Sequence, residues 1–114
     1  MKKIIEMYGH TSDHYNGIYY QYDYYINLNP AFSNCQGMWL YYYPPEQSWN
    51  FHDAFPGDGS ENLWAGGRVR SPNSIYDYSS QLNGLVLIEE APPHYKNIMV
   101  SLEKGEVDDD YDCA

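Results

Sequence analysis

The sequence predicts a mainly β protein: a small antiparallel sandwich or half-open barrel of five to seven strands, with at most one short helix. Several segments alternate apolar and polar residues with the period of two expected of a half-buried strand. No window of 12 or more residues has the i, i+3, i+4, i+7 apolar spacing of an amphipathic helix. Because 114 residues suffice for one core only, we expect a single β domain over residues 1–104 and an acidic tail over residues 105–114.

The first strand is predicted over Lys3 to Tyr8, and the clearest strand follows over Ile18 to Leu28. In this second segment the even positions are Ile, Leu or Tyr, whereas the odd positions are Tyr, Gln, Asp or Asn. An Asn-Gly dipeptide before it and an Asn-Pro dipeptide after it are typical of turns. The pattern predicts a half-buried strand of eleven residues whose outward face carries Tyr19, Asp23 and Tyr25.

Shorter elements are predicted along the rest of the chain. A strand over Gly37 to Tyr43 ends at two prolines, which cannot donate to a ladder. A short edge strand is predicted over Gly67 to Ser71, and a single helical turn over Ser74 to Leu82. Four consecutive apolar residues predict a more fully buried strand over Leu85 to Glu90, and alternation predicts a last strand over Ile98 to Leu102.

The charge balance restricts the class of partner. The chain has 6 Lys and Arg against 16 Asp and Glu, a formal net charge of −10. Such a chain repels nucleic-acid phosphates and anionic membrane surfaces, whereas attraction between opposite charges speeds its encounter with a basic protein. We therefore expect a basic protein partner, with neither direct nucleic-acid binding nor membrane binding.

The sequence also predicts the cellular compartment. The longest apolar run has four residues, far below the roughly 20 of a membrane-spanning helix. The apolar stretch after the first lysines stops after two residues, which is too short for a signal peptide. Cys35 and Cys113 form no disulfide framework. A cytoplasmic protein with two free thiols is expected.

The sequence contains no recognisable motif for catalysis, cofactors or metals. His10 and His14 have an i, i+4 spacing that could hold zinc on a helix, but their segment is rich in turn-forming residues. Asp53 to Asn62 is rich in oxygen ligands and lacks the register of a calcium loop. Neither a Gly-x-Ser-x-Gly elbow nor a Gly-rich phosphate loop occurs. We expect no enzyme activity, no cofactor and no bound metal.

The tyrosines and the acidic tail are the most informative feature. Tyrosine is favoured at interfaces, where one side of its ring is dry and its hydroxyl is wet. Half of the 14 tyrosines are expected to be structural and the outward ones to lie in a contact surface. The tail is expected to be solvated or to dock on a basic partner. The candidate partner-binding residues are Tyr19, Asp23, Tyr25, Glu103, Glu106, Asp108, Asp109, Asp110, Tyr111 and Asp112.

Carboxylates can stand where phosphates would, and exposed aromatic rings can occupy platforms that normally stack on bases. The sequence therefore predicts an inhibitor that occupies the nucleic-acid-binding surface of a nuclease or nucleic-acid-guided complex. In size, charge and lack of motifs it resembles phage-encoded anti-defence proteins, such as anti-CRISPR proteins, and the immunity proteins of nuclease toxins. No family motif maps onto its positions, so the resemblance assigns no functional residue.

Two other functions stay open. Arg68 and Arg70 share one strand face and could clamp the phosphate of a small ligand, such as a nucleotide signal, in a binding module that could equally take a glycan. Exposed tyrosine strands could instead join copies of the chain, giving a structural or assembly protein such as a homodimer.

Overall fold

In the computed structural model, which describes residues 1–57 and 61–111, eight antiparallel strands close into a barrel. Each strand pairs with the next in sequence, and the last pairs with the first. The strands are β1 (Lys2–Tyr8), β2 (Gly17–Gln21), β3 (Phe32–Asn34), β4 (Trp39–Tyr43), β5 (Ser48–His52), β6 (Arg68–Arg70), β7 (Leu85–Glu89) and β8 (Asn97–Val107).

The predicted mainly β class is confirmed, and the observed barrel is close to the predicted half-open barrel. It has eight strands and is closed, because β8 pairs with β1 over seven residue pairs. The helix α1 (Ile75–Gln81) lies at the predicted helical turn, and two short 3-10 turns are found at Asp13–Tyr15 and Pro44–Glu46. Closure leaves no edge strand, so β6 pairs with both β5 and β7, and the prediction of an edge strand there is wrong.

The long second strand is shorter than predicted. The chain leaves the sheet after Gln21, and a local turn pairs Ile26 with Asn29. Asn27 and Leu28 adopt the left-handed conformation inside this turn, with φ of 52° and 64°. Of the apolar residues predicted to share one face of this segment, Ile26 is buried in a small second core with Ala31 and Tyr41, whereas Tyr24 and Leu28 are 70% and 90% exposed. The alternation predicted by the sequence therefore ends with β2 and does not describe burial in the loop after it.

The barrel interior is filled by inward-facing side chains, including Trp49, Phe51 and Leu40. Tyr19 belongs to this interior and is fully buried, so its predicted place on the outward face is wrong. The prediction placed Tyr19 on the wrong face of the strand. Tyr19 pairs with the buried Ile5 across β1 and β2, and both side chains point into the barrel. Burial raises the pKa of Tyr19 well above its ordinary value.

We expect Tyr19→Phe to lower the free energy of unfolding by about 1–2 kcal/mol. The Tyr19 hydroxyl donates a hydrogen bond of 2.7 Å to the backbone carbonyl of Tyr15, and the variant removes that donor from a buried acceptor. Urea unfolding measures the change. Tyr25→Phe, at an exposed ring, serves as the control; equal losses in the two variants would contradict the assignment.

The meander places successive connections at alternate ends of the barrel. The connections β1–β2, β3–β4, β5–β6 and β7–β8 lie at one end, which we call the upper end. The connection β2–β3 lies at the other end together with α1, residue 1 and the segment after β8. Within residues 1–57 and 61–111, no helix is long and apolar enough to cross a membrane.

Cys35 is disulfide-bonded, so the prediction of a free thiol is wrong for this residue. The other cysteine of the chain, Cys113, lies outside the described residues. The last described residue, Tyr111, stacks on Tyr20, whose cross-strand partner Ser33 stands two residues before Cys35. Tyr20 and Tyr111 are 91 positions apart in the sequence, and they meet because barrel closure brings the segment after β8 back to β2.

Candidate interaction surface

The structure does not bring the predicted contact residues into one patch. Tyr19 is buried in the core. Glu103 and Glu106 lie three residues apart on β8 and therefore point to opposite faces. Asp112 lies outside the described residues. The other six predicted residues lie in two segments, the β2–β3 loop and the segment after β8: Asp23, Tyr25, Asp108, Asp109, Asp110 and Tyr111.

The described part of the acidic tail rests on the barrel. The Tyr111 ring stacks on Tyr20 with centroids 5.5 Å apart. The Met1 amine lies 3.2 Å from a carboxylate oxygen of Asp109, and Lys2 Nζ donates a 3.3 Å hydrogen bond to the Tyr111 carbonyl. The strand β8 continues to Val107, so residues 105–107 of the predicted tail belong to the sheet. Aspartates 108–110 are thus presented at a defined place on the surface.

An acidic depression of about 210 Å³ joins the loop to the tail. Asp23 and Asp109 line it together with Tyr22, Gln21 and the first two residues of the chain. Asp23 and Asp109 are the two carboxylates of the lining, and the Met1 amine and Lys2 are its two cations, so the charges of the lining itself balance. Asp108 and Asp110, the exposed chain neighbours of Asp109, give the surroundings of the depression an excess of two negative charges.

An exposed aromatic cluster adjoins the acidic depression. Tyr22 makes edge-to-face contacts with three rings: Trp39 at 5.1 Å, Tyr24 at 5.6 Å and Phe55 at 5.8 Å between centroids. Trp39 and Phe55 also contact each other at 4.9 Å. Tyr24 and Phe55 are more than half exposed. Because Tyr22 also lines the depression, the rings and the carboxylates form one continuous surface, which we call the acidic–aromatic surface.

Arg68 and Arg70 are engaged with acidic side chains. Arg68 Nε lies 3.1 Å from Glu89 Oε2, and Arg70 Nε lies 3.2 Å from the same oxygen. Arg70 also contacts Glu46 at 3.3 Å, and the Arg68 guanidinium stacks 3.9 Å from the Trp64 ring centre. The hydrogen bond from Arg68, with those from Tyr95 and Arg70, lowers the pKa of Glu89 to about 2 against the cost of burial. The two guanidinium groups therefore already have anionic partners.

A second exposed surface was missed by sequence reasoning. The side chains of Leu85, Leu87 and Met99 are 51–58% exposed on the outer face of β7 and β8, where Leu87 pairs with Met99. The prediction of a more fully buried strand over Leu85 to Glu90 is wrong, because a barrel wall has only one interior face. In β7, exposed residues alternate with buried ones along the strand. In the wall of a barrel, alternate residues of a continuous apolar run must point outward. The exposure of Leu85 and Leu87 could therefore be predicted only if the barrel was known.

The predicted residue Glu103 lies beside this apolar strip and directly opposite Glu6 across β8 and β1. Like charges in that position repel each other. The pKa of Tyr8 is raised to about 12, chiefly by its hydrogen bond to the Glu6 carboxylate, with loss of solvation and the Glu103 charge adding to the rise. Glu106, on the opposite face of β8, pairs with Lys3 and lies near Tyr76.

The fold and these surfaces define an antiparallel eight-stranded β-barrel protein with an acidic–aromatic face. Comparison of the chain with protein-family models, curated proteins and solved structures finds no match. In residues 1–57 and 61–111, no group of three or more His, Cys, Asp or Glu residues is arranged to hold a metal ion.

Proposed function

We propose that this protein is an acidic interaction protein that inhibits a basic nucleic-acid-binding protein or nuclease by occupying its nucleic-acid-binding surface. The observation that carries the proposal is the continuity of the acidic–aromatic surface, in which Tyr22 belongs both to the carboxylate-lined depression and to the ring cluster. Charge alone would be compatible with solubility, and rings alone with packing. Their contiguity supports a surface that contacts cations and flat groups of one partner.

The chemistry of the surface suits a site that normally holds nucleic acid. A groove that binds single strands combines Lys and Arg along the backbone path with aromatic platforms on which bases stack. The carboxylates of Asp23 and aspartates 108–110 would meet the cations of such a groove. The exposed rings of Tyr24 and Phe55 would meet its aromatic or guanidinium platforms.

The partner is sought by capturing proteins from the native host with the tagged full-length chain and identifying them by mass spectrometry. Recovery of a basic nuclease or nucleic-acid-guided complex supports the proposal. Recovery of the chain alone favours an assembly protein. Excess absorbance at 260 nm after purification favours a nucleotide-binding module, since it indicates a retained nucleotide.

We expect the affinity for the captured partner to fall at least about ten-fold between about 50 and 300 mM salt, because exposed charge pairs are screened over that range. Isothermal titration calorimetry at several salt concentrations measures the fall. An affinity that is constant over this range would rule out electrostatic mimicry.

The double variant Asp23→Asn with Asp109→Asn should weaken this binding and flatten its salt dependence. The double variant Asp13→Asn with Asp77→Asn removes the same charge from exposed sites in the β1–β2 connection and on α1, neither of which lines the acidic depression. It should bind nearly as well as the original chain. Equal weakening by the two double variants would mean that net charge acts without a defined surface.

The cytoplasmic location of the protein stays a prediction. The disulfide bond of Cys35 bears on this location, because disulfides persist mainly in oxidising compartments. Thiols alkylated at the moment of cell lysis and analysed by mass spectrometry test it. A Cys35 peptide that is already oxidised in freshly lysed cells would place the protein in an oxidising compartment instead.

A further inference from the structure

A cavity of about 270 Å³ lies at the upper end of the barrel, away from the acidic depression. Three connections build it: β1–β2, β5–β6 and β7–β8. Polar groups from the first and third connections line it, together with the aromatic side chain of Tyr15. The described lining residues are His10, Thr11, Ser12, Tyr15, Ala65, Gly66, Glu90, Ala91 and His94.

His10 forms one fixed wall of this cavity. Its Nε2 lies 2.7 Å from the Gly66 carbonyl oxygen, and its Nδ1 accepts a 2.9 Å hydrogen bond from the Ser12 backbone N–H. These two contacts require the neutral imidazole with its proton on Nε2. The ring lies 4.8 Å from the Tyr15 ring. Both nitrogens are thus occupied, so His10 is a structural residue and not a free metal ligand.

Glu90 is the unsatisfied group of the cavity. It is only 6% exposed, and the Thr11 hydroxyl donates a hydrogen bond to its Oε1. Its Oε2 is buried without a hydrogen-bond partner among the described residues. A buried carboxylate oxygen without a donor is costly, and the cost is removed when a ligand supplies an N–H group and a positive charge.

We propose that this cavity binds a small organic cation whose N–H groups donate to the Glu90 carboxylate. Glu90 is the one carboxylate among the described lining residues, and none of them is Lys or Arg. The polarity of the cavity therefore favours a cation over an anion. The Tyr15 ring offers an apolar wall for the body of a flat amidinium or guanidinium group. The cavity shares no lining residue with the acidic depression or with the ring cluster of the acidic–aromatic surface.

The test uses acetamidinium as the probe and acetamide as its neutral analogue of nearly the same shape. Each is titrated into the 15N-labelled full-length protein at constant ionic strength, and NMR follows the backbone amides of Thr11, Gly66 and Ala91. We expect acetamidinium to give saturable shifts confined to these connections and to bind at least about ten-fold more tightly than acetamide. Equal binding of the two probes, or shifts that do not saturate, would overturn the proposal.

Glu90→Gln keeps the shape of the side chain and removes its charge, so it should abolish the saturable shifts. Glu103→Gln, on the outer face of β8, removes an equal charge elsewhere and should leave them unchanged. Saturable binding of the same strength in Glu90→Gln would overturn the assignment. If that variant does not fold, the comparison of acetamidinium with acetamide on the unaltered chain decides the question alone.

Discussion

Gly67→Ala is expected to lower the free energy of unfolding by about 3–5 kcal/mol, the largest effect of any substitution considered. A Cβ on Gly67 would lie 2.5 Å from Ile88 Cγ2 and 2.8 Å from the backbone oxygen of Glu89. The second contact is with a strand backbone, which cannot move aside as a flexible side chain can. Gly67 also has a φ of +95°, which is unfavourable for residues with a Cβ.

The effect has a matched control in Gly37→Ala. Gly37 has a similar φ of +84°, but within residues 1–57 and 61–111, its two chain neighbours aside, no atom lies within 4 Å of the position of its missing Cβ. This control should lose only the conformational part, about 1–2 kcal/mol. Chemical denaturation of both variants separates backbone strain from steric overlap. Similar losses in the two variants would show that β6 and β7 do not approach each other as closely as described.

Glu89→Gln is expected to cost about 3 kcal/mol at neutral pH. The Arg68 side chain is only 8% exposed and the Glu89 side chain 17% exposed, so the variant leaves a buried guanidinium without its carboxylate. The stacking of Arg68 on Trp64 stays in place but cannot neutralise the charge. Glu46→Gln serves as control, because Glu46 contacts only the exposed side of Arg70 and should cost less than about 1 kcal/mol.

The contribution of Glu89 should depend on pH in a defined window. Its pKa is lowered from 4.5 to about 2 in the folded protein, so the folded state favours the ionised carboxylate. The stabilisation is complete above about pH 4.5 and is lost as the pH falls toward about 2. The difference in free energy of unfolding between the original chain and Glu89→Gln should shrink over this window. A difference that stays constant from pH 6 to pH 2.5 would contradict this role for the ion pair.

The candidate site was predicted only in part. Asp23 and Tyr25 are exposed, as expected from the alternation, but they lie in the loop after β2 and not on the predicted strand. The meeting of Asp23 with Asp109 across the acidic depression was not predictable, since the two aspartates are 86 positions apart in the chain. The cluster around Tyr22 was missed for the same reason, because its members come from three different segments.

The residues most relevant to binding at the upper end were also hidden from sequence reasoning. Glu90 follows Glu89, and adjacent strand residues point to opposite sides. The sequence could say that the two differ in surroundings. It could not say that one would pair with Arg68 and the other would keep an unpartnered oxygen beside a cavity. That distinction depends on which connections meet at the end of a closed barrel.

The sequence by itself determined the mainly β class, the positions of most strands, the helix near residue 75 and the excess of acidic side chains. These follow from local periodicity, turn chemistry and composition, which act over a few residues. Only the tertiary structure decided that the sheet closes, that Tyr19 points inward, that Cys35 is bonded and that the tail rests on Tyr20. Closure joins the first strand to the last, and a pairing between residues about 100 positions apart leaves no local pattern in the sequence.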